Sequence, residues 1–204
     1  MRYSKDHKAE THARIVKNAA VQLREKGAQG IGVADLMKEA GLTHGGFYAH
    51  FKSREALVIE ALNYAMDRSR ERWGDAVARA PEGEGFEALV RHYVTPQHRD
   101  NPGHGCTMAT LGSEATREGP KARKMFLGQL ERMIDTLAAQ LPGPPKQARE
   151  QAIGALATMM GTILMSRVAG SSELSSQILE VGRDAALAQG GAKKAGRKKT
   201  KAAG

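Results

Sequence analysis

The sequence predicts an all-α protein, with a small N-terminal three-helix unit at residues 1–52, a larger helical region at 53–189 and a basic tail at 190–204. Three observations carry this. Apolar residues recur at helical spacing: Val33, Leu36, Met37 and Ala40, for instance, fall at i, i+3, i+4 and i+7, one face of a helix. Aromatic residues make up 4% of the chain against 41% hydrophobic, and no β-branched runs alternate with polar residues, so the core must be built from Ala, Leu, Val, Ile and Met. Finally, Gly and Pro punctuation at Gly27, Gly41, Pro81–Gly83, Asn101-Pro102-Gly103, Gly119-Pro120 and Pro142–Pro145 divides the chain into helix-sized pieces.

The polar start, MRYSKDHKAE, is expected to be a loose arm able to touch phosphates. A helix follows over 11–26, with Ile15, Ala19 and Leu23 inward and Gly27 as its stop. The helix at 33–40 ends at Gly41, because glycine accepts the left-handed backbone that closes a helix. Thr43 is placed to cap the next helix with its hydroxyl. That segment is about two turns long, with Phe47 and Phe51 four apart on its buried side. Tyr48, His50 and Lys52 are left to point elsewhere. Two short helices across a tight turn are the layout of a helix-turn-helix, whose second helix enters the major groove of double-stranded DNA. Ser53 suits the N-cap of the following helix and Glu55 its positive end. That helix carries Leu57, Ala61 and Tyr64 on one face and runs to about 80. Further helices are expected at about 84–94, 106–117, 120–141, 146–169 and 173–188, the 120–141 helix turning Phe126, Leu130, Met133, Ile134 and Leu137 inward.

The net charge of +9 is unevenly placed: +5 in residues 1–54, +6 in 193–204 and −2 between. Basic ends around a nearly neutral centre suit a polyanion reader joined to a domain for an uncharged ligand or for self-association. One cysteine excludes an internal disulfide framework, and the charged N-terminus lacks a secretory apolar stretch, so a cytoplasmic location is expected. The longest apolar run, Ala152–Met165, is fourteen residues, too short to span a bilayer, so no membrane partner is expected. That run is apolar nearly all round, and Gly154, Ala157 and Gly161 form a small-residue stripe along it. It reads either as a helix buried within one subunit or as a two-fold seam made with the last helix, through Gly154, Ala157, Gly161, Leu164, Leu174, Ile178 and Val181.

The stretch Val33–Leu62, VADLMKEAGLTHGGFYAHFKSREALVIEAL, resembles the DNA-binding domain of the TetR family of bacterial repressors. The likeness rests on Val33, Leu36, Ala40-Gly41-Leu42-Thr43, Gly45, Phe47-Tyr48, His50-Phe51-Lys52 and Ser53-Arg54-Glu55-Ala56-Leu57. It implies that Thr43, Gly45, Tyr48, His50 and Lys52 occupy DNA-contacting positions, Tyr48 and His50 donating to phosphates and Lys52 neutralising one. Such contacts fix position more than sequence choice. Base reading is expected from Thr43, His44 and the close backbone approach allowed by Gly46, with DNA shape contributing. The family commonly has Thr or Ser where this chain has Gly32, which puts one phosphate contact in doubt. The resemblance also favours the homodimer seam, and it implies a repressor released from DNA by a small-molecule inducer. Expected pocket or sensing residues are Trp73, Phe86, Tyr93, His104, Cys106, Met108, Phe126 and Met159, with Leu111 and Met133 as further apolar candidates. The segment GCTMATLGSE beginning at Gly105 is similar to one in electrophile-sensing members of the family. By that likeness Cys106 is a candidate reactive thiol and His104 its activating neighbour; the competing reading is a small buried structural cysteine.

Other functional classes fit less well. His92, His98, His104 and Cys106 match no metal-ligand spacing, Gly30-Ile31-Gly32 lacks the third glycine and preceding strand of a dinucleotide loop, and no nucleophile constellation is present. No enzyme activity, metal or cofactor is expected. The alternative worth weighing is an architectural, nucleoid-associated protein that binds duplex DNA with little sequence preference, driven by the tail KKAGRKKTKAAG.

Overall fold

The computed structural model describes residues 5–27, 32–39, 41, 43–115, 117 and 119–191. The basic segment 192–204, Met1–Ser4, Ala40, Leu42 and the side chains of Val33 and His44 lie outside that set, and so do the expectations placed on them. Among the described residues the architecture is all-α: α1 (Lys5–Lys26), α2 (Val33–Glu39), α3 (Arg54–Ala78), α4 (Gly85–Tyr93), α5 (Pro96–Asp100), α6 (Thr107–Ala115), α7 (Pro120–Ala138), α8 (Pro145–Val168) and α9 (Glu173–Gln189). Short 3₁₀ turns occupy His44–Ala49 and Pro102–His104.

Local chemistry sets these boundaries. Gly27 and Gly41 close α1 and α2 with φ of 78° and 72°, conformations that only glycine adopts without strain. Ser53 caps α3, its hydroxyl accepting from the Ala56 amide at 3.1 Å, and Glu55 sits in the first turn. Thr95 and Ser172 cap α5 and α9 in the same way.

Two expectations are corrected. Residues 5–10 are not a loose arm. They form the first turns of α1, with Asp6 against the positive helix end and alanine, lysine and glutamate as helix formers. The segment after the turn is a six-residue 3₁₀ helix instead of two α-turns, consistent with the low α propensity of Gly45-Gly46. Thr43 does not cap it by side chain. Its carbonyl accepts from the Gly46 amide at 3.0 Å, so the backbone closes the turn unaided.

Two apolar clusters organise the molecule. The first packs Ile15, Ala19 and Leu23 of α1 with Leu36, Met37, Phe47, Phe51 and the first half of α3, and takes in Leu111, Ala115 and Phe126 from α6 and α7. The second gathers Trp73, Leu89, Tyr93, Cys106, Leu137, Leu156, Met159 and Ile163. Because α3 contributes to both, it is the rigid spar that fixes the helix-turn-helix to the rest. A second tie is electrostatic: the buried Arg24 of α1 donates through Nε at 2.7 Å, and through Nη2, to the carbonyl of Gly103. Burial, then the nearby Arg72, lowers the pKa of that guanidinium to about 10. Helices α8 and α9 pack closely because Gly182 has no side chain to strike Thr162. No described helix is long and apolar enough to cross a membrane.

Candidate functional site

The helix-turn-helix presents a shallow polar surface. Phe47 and Phe51 are 2% and 3% exposed and hold the 3₁₀ turn down on the first cluster, their rings 5.5 Å apart. This anchoring turns Tyr48 outward, 70% exposed, with its ring edge-on to Phe47. Thr43, Gly45 and Lys52 are also exposed, and Gly46 is half-buried. So five of the seven expected contact positions lie on or at one surface around the turn, and for His44 the backbone alone is described.

His50, the seventh, is different. It is only partly accessible, and its Nδ1 is buried without a hydrogen-bond partner. Burial, with His12 and Lys8 nearby, lowers its pKa below the ordinary histidine range. His12 stacks on Phe51 at 4.5 Å between centroids and bonds Glu60 through Nε2 at 2.6 Å. This brings α1, the turn and α3 together at one point. His12 shares the helical face of Ile15, Ala19 and Leu23, but periodicity does not say which ring or carboxylate of another element it meets. At Gly32, a Cβ would stand 3.0 Å from the Asp35 carboxylate, which occupies the space a larger residue there would need.

A second locus lies in the C-terminal half. The 3₁₀ turn and the start of α6 face the ends of α3 and α4 across a cavity of about 440 Å³. Arg72, Trp73 and Ser69 approach from α3, His92 and Tyr93 from α4, and Thr95 to Cys106 close the far side. Four residues dismissed as metal ligands on their spacing, His92, His98, His104 and Cys106, therefore do converge. They still do not form a metal set. The His98 ring is engaged at both nitrogens, Nδ1 at 2.7 Å from the Tyr93 carbonyl and Nε2 accepting from the Cys106 amide at 2.9 Å. That pairing describes a neutral imidazole. Burial lowers its pKa to about 4, the bond to Tyr93 partly offsetting the effect.

His98 rather than His104 is thus the histidine that positions Cys106; His104 is exposed at the rim. The remaining pocket candidates are scattered. Phe86 and Met159 are packed in the second cluster, and Met133 lies against Trp73 in a small crevice. Met108 bridges both clusters. Phe126 and Leu111 line a separate, more apolar cavity of about 590 Å³ where α3, α6 and α7 meet. Helical spacing marks which residues turn inward, but it cannot tell which face a void.

Helices α8 and α9 expose Ile153, Leu164, Met165, Val168, Leu174 and Val181, each 46% or more. Ala157 is exposed beside them, Ile178 is half-buried, and Gly161 opens onto free space. A Cβ at the half-buried Gly154 would stand 3.0 Å from the Gln189 side chain of α9 in the same chain, so this glycine also admits that neighbour closely.

Comparison with known proteins agrees with this geometry. The family profile described as "Bacterial regulatory proteins, tetR family" matches residues 15–61, the helix-turn-helix just described. The helix-turn-helix of this chain is thus that of the TetR family of transcriptional regulators. An uncharacterised HTH-type transcriptional regulator of Mycobacterium tuberculosis, Rv0196, is 29% identical over 168 residues, spanning 76% of this chain and 83% of that protein. Among solved structures, a TetR regulator from Chloroflexus aurantiacus superposes with a TM-score of 0.76 at 23% identity, covering 87% of this chain and 94% of that one. AibR, solved with isovaleryl coenzyme A and operator DNA, gives 0.61 at 18% identity, with 85% and 96% coverage. The likeness to these structures accounts for the all-α architecture with an N-terminal helix-turn-helix, and the matched profile and the relative support DNA-binding transcriptional regulation.

Proposed function

We propose that this TetR-family regulator is a repressor that binds a palindromic operator as a two-fold dimer and leaves it when a small molecule occupies the C-terminal half. The observation that carries the reading is the outward Tyr48 and the exposed Thr43, Gly45 and Lys52, held in place by two buried phenylalanines. Tyr48, His50 and Lys52 contact phosphates, while Thr43, His44 and Gly46 lie against base edges. Functionally, 1–52 reads DNA, 53–189 binds ligand and partner, and 190–204 adds sequence-independent affinity. The exposed apolar face of α8 and α9 supports the dimer, since contiguous apolar surface of this kind marks an interface. That AibR was solved with both operator DNA and an acyl ligand supports the two-site reading. The test is binding to the DNA upstream of its own gene at physiological salt with excess random competitor. A protected palindrome that survives competitor is expected; equal loss to random DNA would favour the architectural reading instead.

A second reading makes Cys106 a thiol switch. The observation favouring it is placement: the buried free thiol lines the same cavity as the Arg72 side chain. In that case Cys106→Ser retains DNA binding and loses release by electrophiles, whereas full release from the mutant would remove the switch.

A further inference from the structure

The cavity beneath the 3₁₀ turn has a chemical character more definite than its size. No aspartate or glutamate is among the described residues that line it. Its only side chain with a fixed charge is Arg72, whose guanidinium is half-buried and donates to Ser69 at 3.2 Å. Around it stand donors that hold no charge of their own, Thr95, Gln97 and Asn101, and the exposed His104 at the rim. Most telling is Tyr93. Its side chain is 3% exposed and lines the cavity, yet its hydroxyl has only the Cys106 thiol, a weak partner, beside it and makes no well-formed hydrogen bond. A buried phenol left in this way costs free energy that a bound acceptor would recover. The walls beside it are rings: Trp73 meets Tyr93 edge-on at 6.0 Å, and His98 meets it edge-on at 4.5 Å.

We propose that this cavity is a binding site for a small aromatic carboxylate, the carboxylate held by the Arg72 guanidinium and the Tyr93 hydroxyl and the ring set against Trp73. Each part of the ligand answers an unmet feature of the site. The anion neutralises an arginine that has no acidic partner within the cavity wall, and one carboxylate oxygen accepts from the phenol, a better acceptor than the Cys106 thiol. A planar ring fits the edge-to-face arrangement of the aromatic walls. A volume of about 440 Å³ lies within the ordinary range for a small-molecule site and leaves room for ring substituents. The site stands on its own geometry; only its role as the inducer site rests on the regulator reading above.

Trp73 is the only tryptophan in the chain, so the protein carries its own reporter. The experiment titrates the full chain with benzoate, benzamide and benzamidine, read by Trp73 fluorescence and by calorimetry. The expected result is saturable binding of benzoate, benzamide at least about tenfold weaker, and benzamidine not bound, the order that an arginine-anchored site imposes. Arg72→Gln should weaken benzoate by about tenfold or more and erase the preference over benzamide. Tyr93→Phe keeps the ring and loses only the hydroxyl, so it should weaken benzoate severalfold while leaving the fold intact. Equal binding of benzoate and benzamide, no binding of benzoate, or unchanged benzoate affinity in a folded Arg72→Gln protein would each overturn the proposal. Should Arg72→Gln fail to fold, the charge series on the unmodified protein and the Tyr93→Phe comparison decide it alone. Parallel titration with promoter DNA separates the two readings. Specific DNA binding without benzoate binding sinks the anion site only, and benzoate binding without specific DNA binding sinks the regulator reading only.

Discussion

Single side chains in this molecule divide sharply between those the core holds and those it releases. Tyr48 is adjacent to a fully packed phenylalanine yet stands clear of the protein, so its removal should be felt by DNA and not by the fold. Tyr48→Ala is expected to lower affinity about tenfold for all sequences alike, with the melting temperature within a degree or two of the parent, as measured by fluorescence anisotropy and thermal denaturation. His98 shows the opposite behaviour. Its folded pKa of about 4 lies below the usual 6.5, so the unfolded chain takes up a proton first as the pH drops. The stabilisation it provides is therefore complete above about pH 6.5 and is lost as the pH falls toward 4, by about 3 kcal/mol in all. Urea midpoints measured across that window should fall, and His98→Ala, though less stable at neutral pH, should show a slope smaller by about one proton.

At the scale of the elements, the packing of α8 on α9 depends on one missing methyl group. A Cβ at position 182 would overlap the Thr162 hydroxyl. Gly182→Ala should destabilise the protein by about 1–3 kcal/mol, read from denaturant midpoints, and Thr162→Ala in the same chain should recover part of that. On the outer side of the same helices, if the proposed dimer forms there, Leu164→Asp with Val181→Asp should convert it to monomers in light scattering while leaving the helix content unchanged. These helices also show what could be read from the sequence. The helix starts and stops were legible because Gly27, Gly41 and Ser53 carry their function in their own chemistry, whether a left-handed backbone or a capping hydroxyl. The helix-turn-helix surface was legible because Phe47 and Phe51, at helical spacing, dictate which way Tyr48 points. What was not legible depends on distance along the chain. His98 reaches Cys106 through a chain reversal that no periodicity encodes, and Gly154 and Gly182 look alike until a neighbouring helix chooses which of their faces is crowded. The length of α1 was underestimated because charged residues that form good helices resemble those of a loose arm.

For the whole molecule, charge placement is the governing feature. Six basic residues lie within 193–204 and the helix-turn-helix end is also positive, while the middle is close to neutral. Removing 192–204 should leave operator choice unchanged and reduce the slope of log affinity against log salt by as much as about five, a value obtained by repeating the titration at several salt concentrations. An unchanged slope would exclude the tail from DNA. The join between the two halves carries a consequence of a different kind. Arg24 belongs to the helix-turn-helix end and Gly103 to the C-terminal half, and the buried guanidinium is held by that carbonyl, with Val21 and Glu25 packed so closely on Gly103 that a side chain there would collide with them. The halves are thus not interchangeable modules. A hybrid made by splicing this helix-turn-helix onto another relative's C-terminal half would inherit a buried cation facing the wrong surface, unless the loop around residue 103 travelled with it.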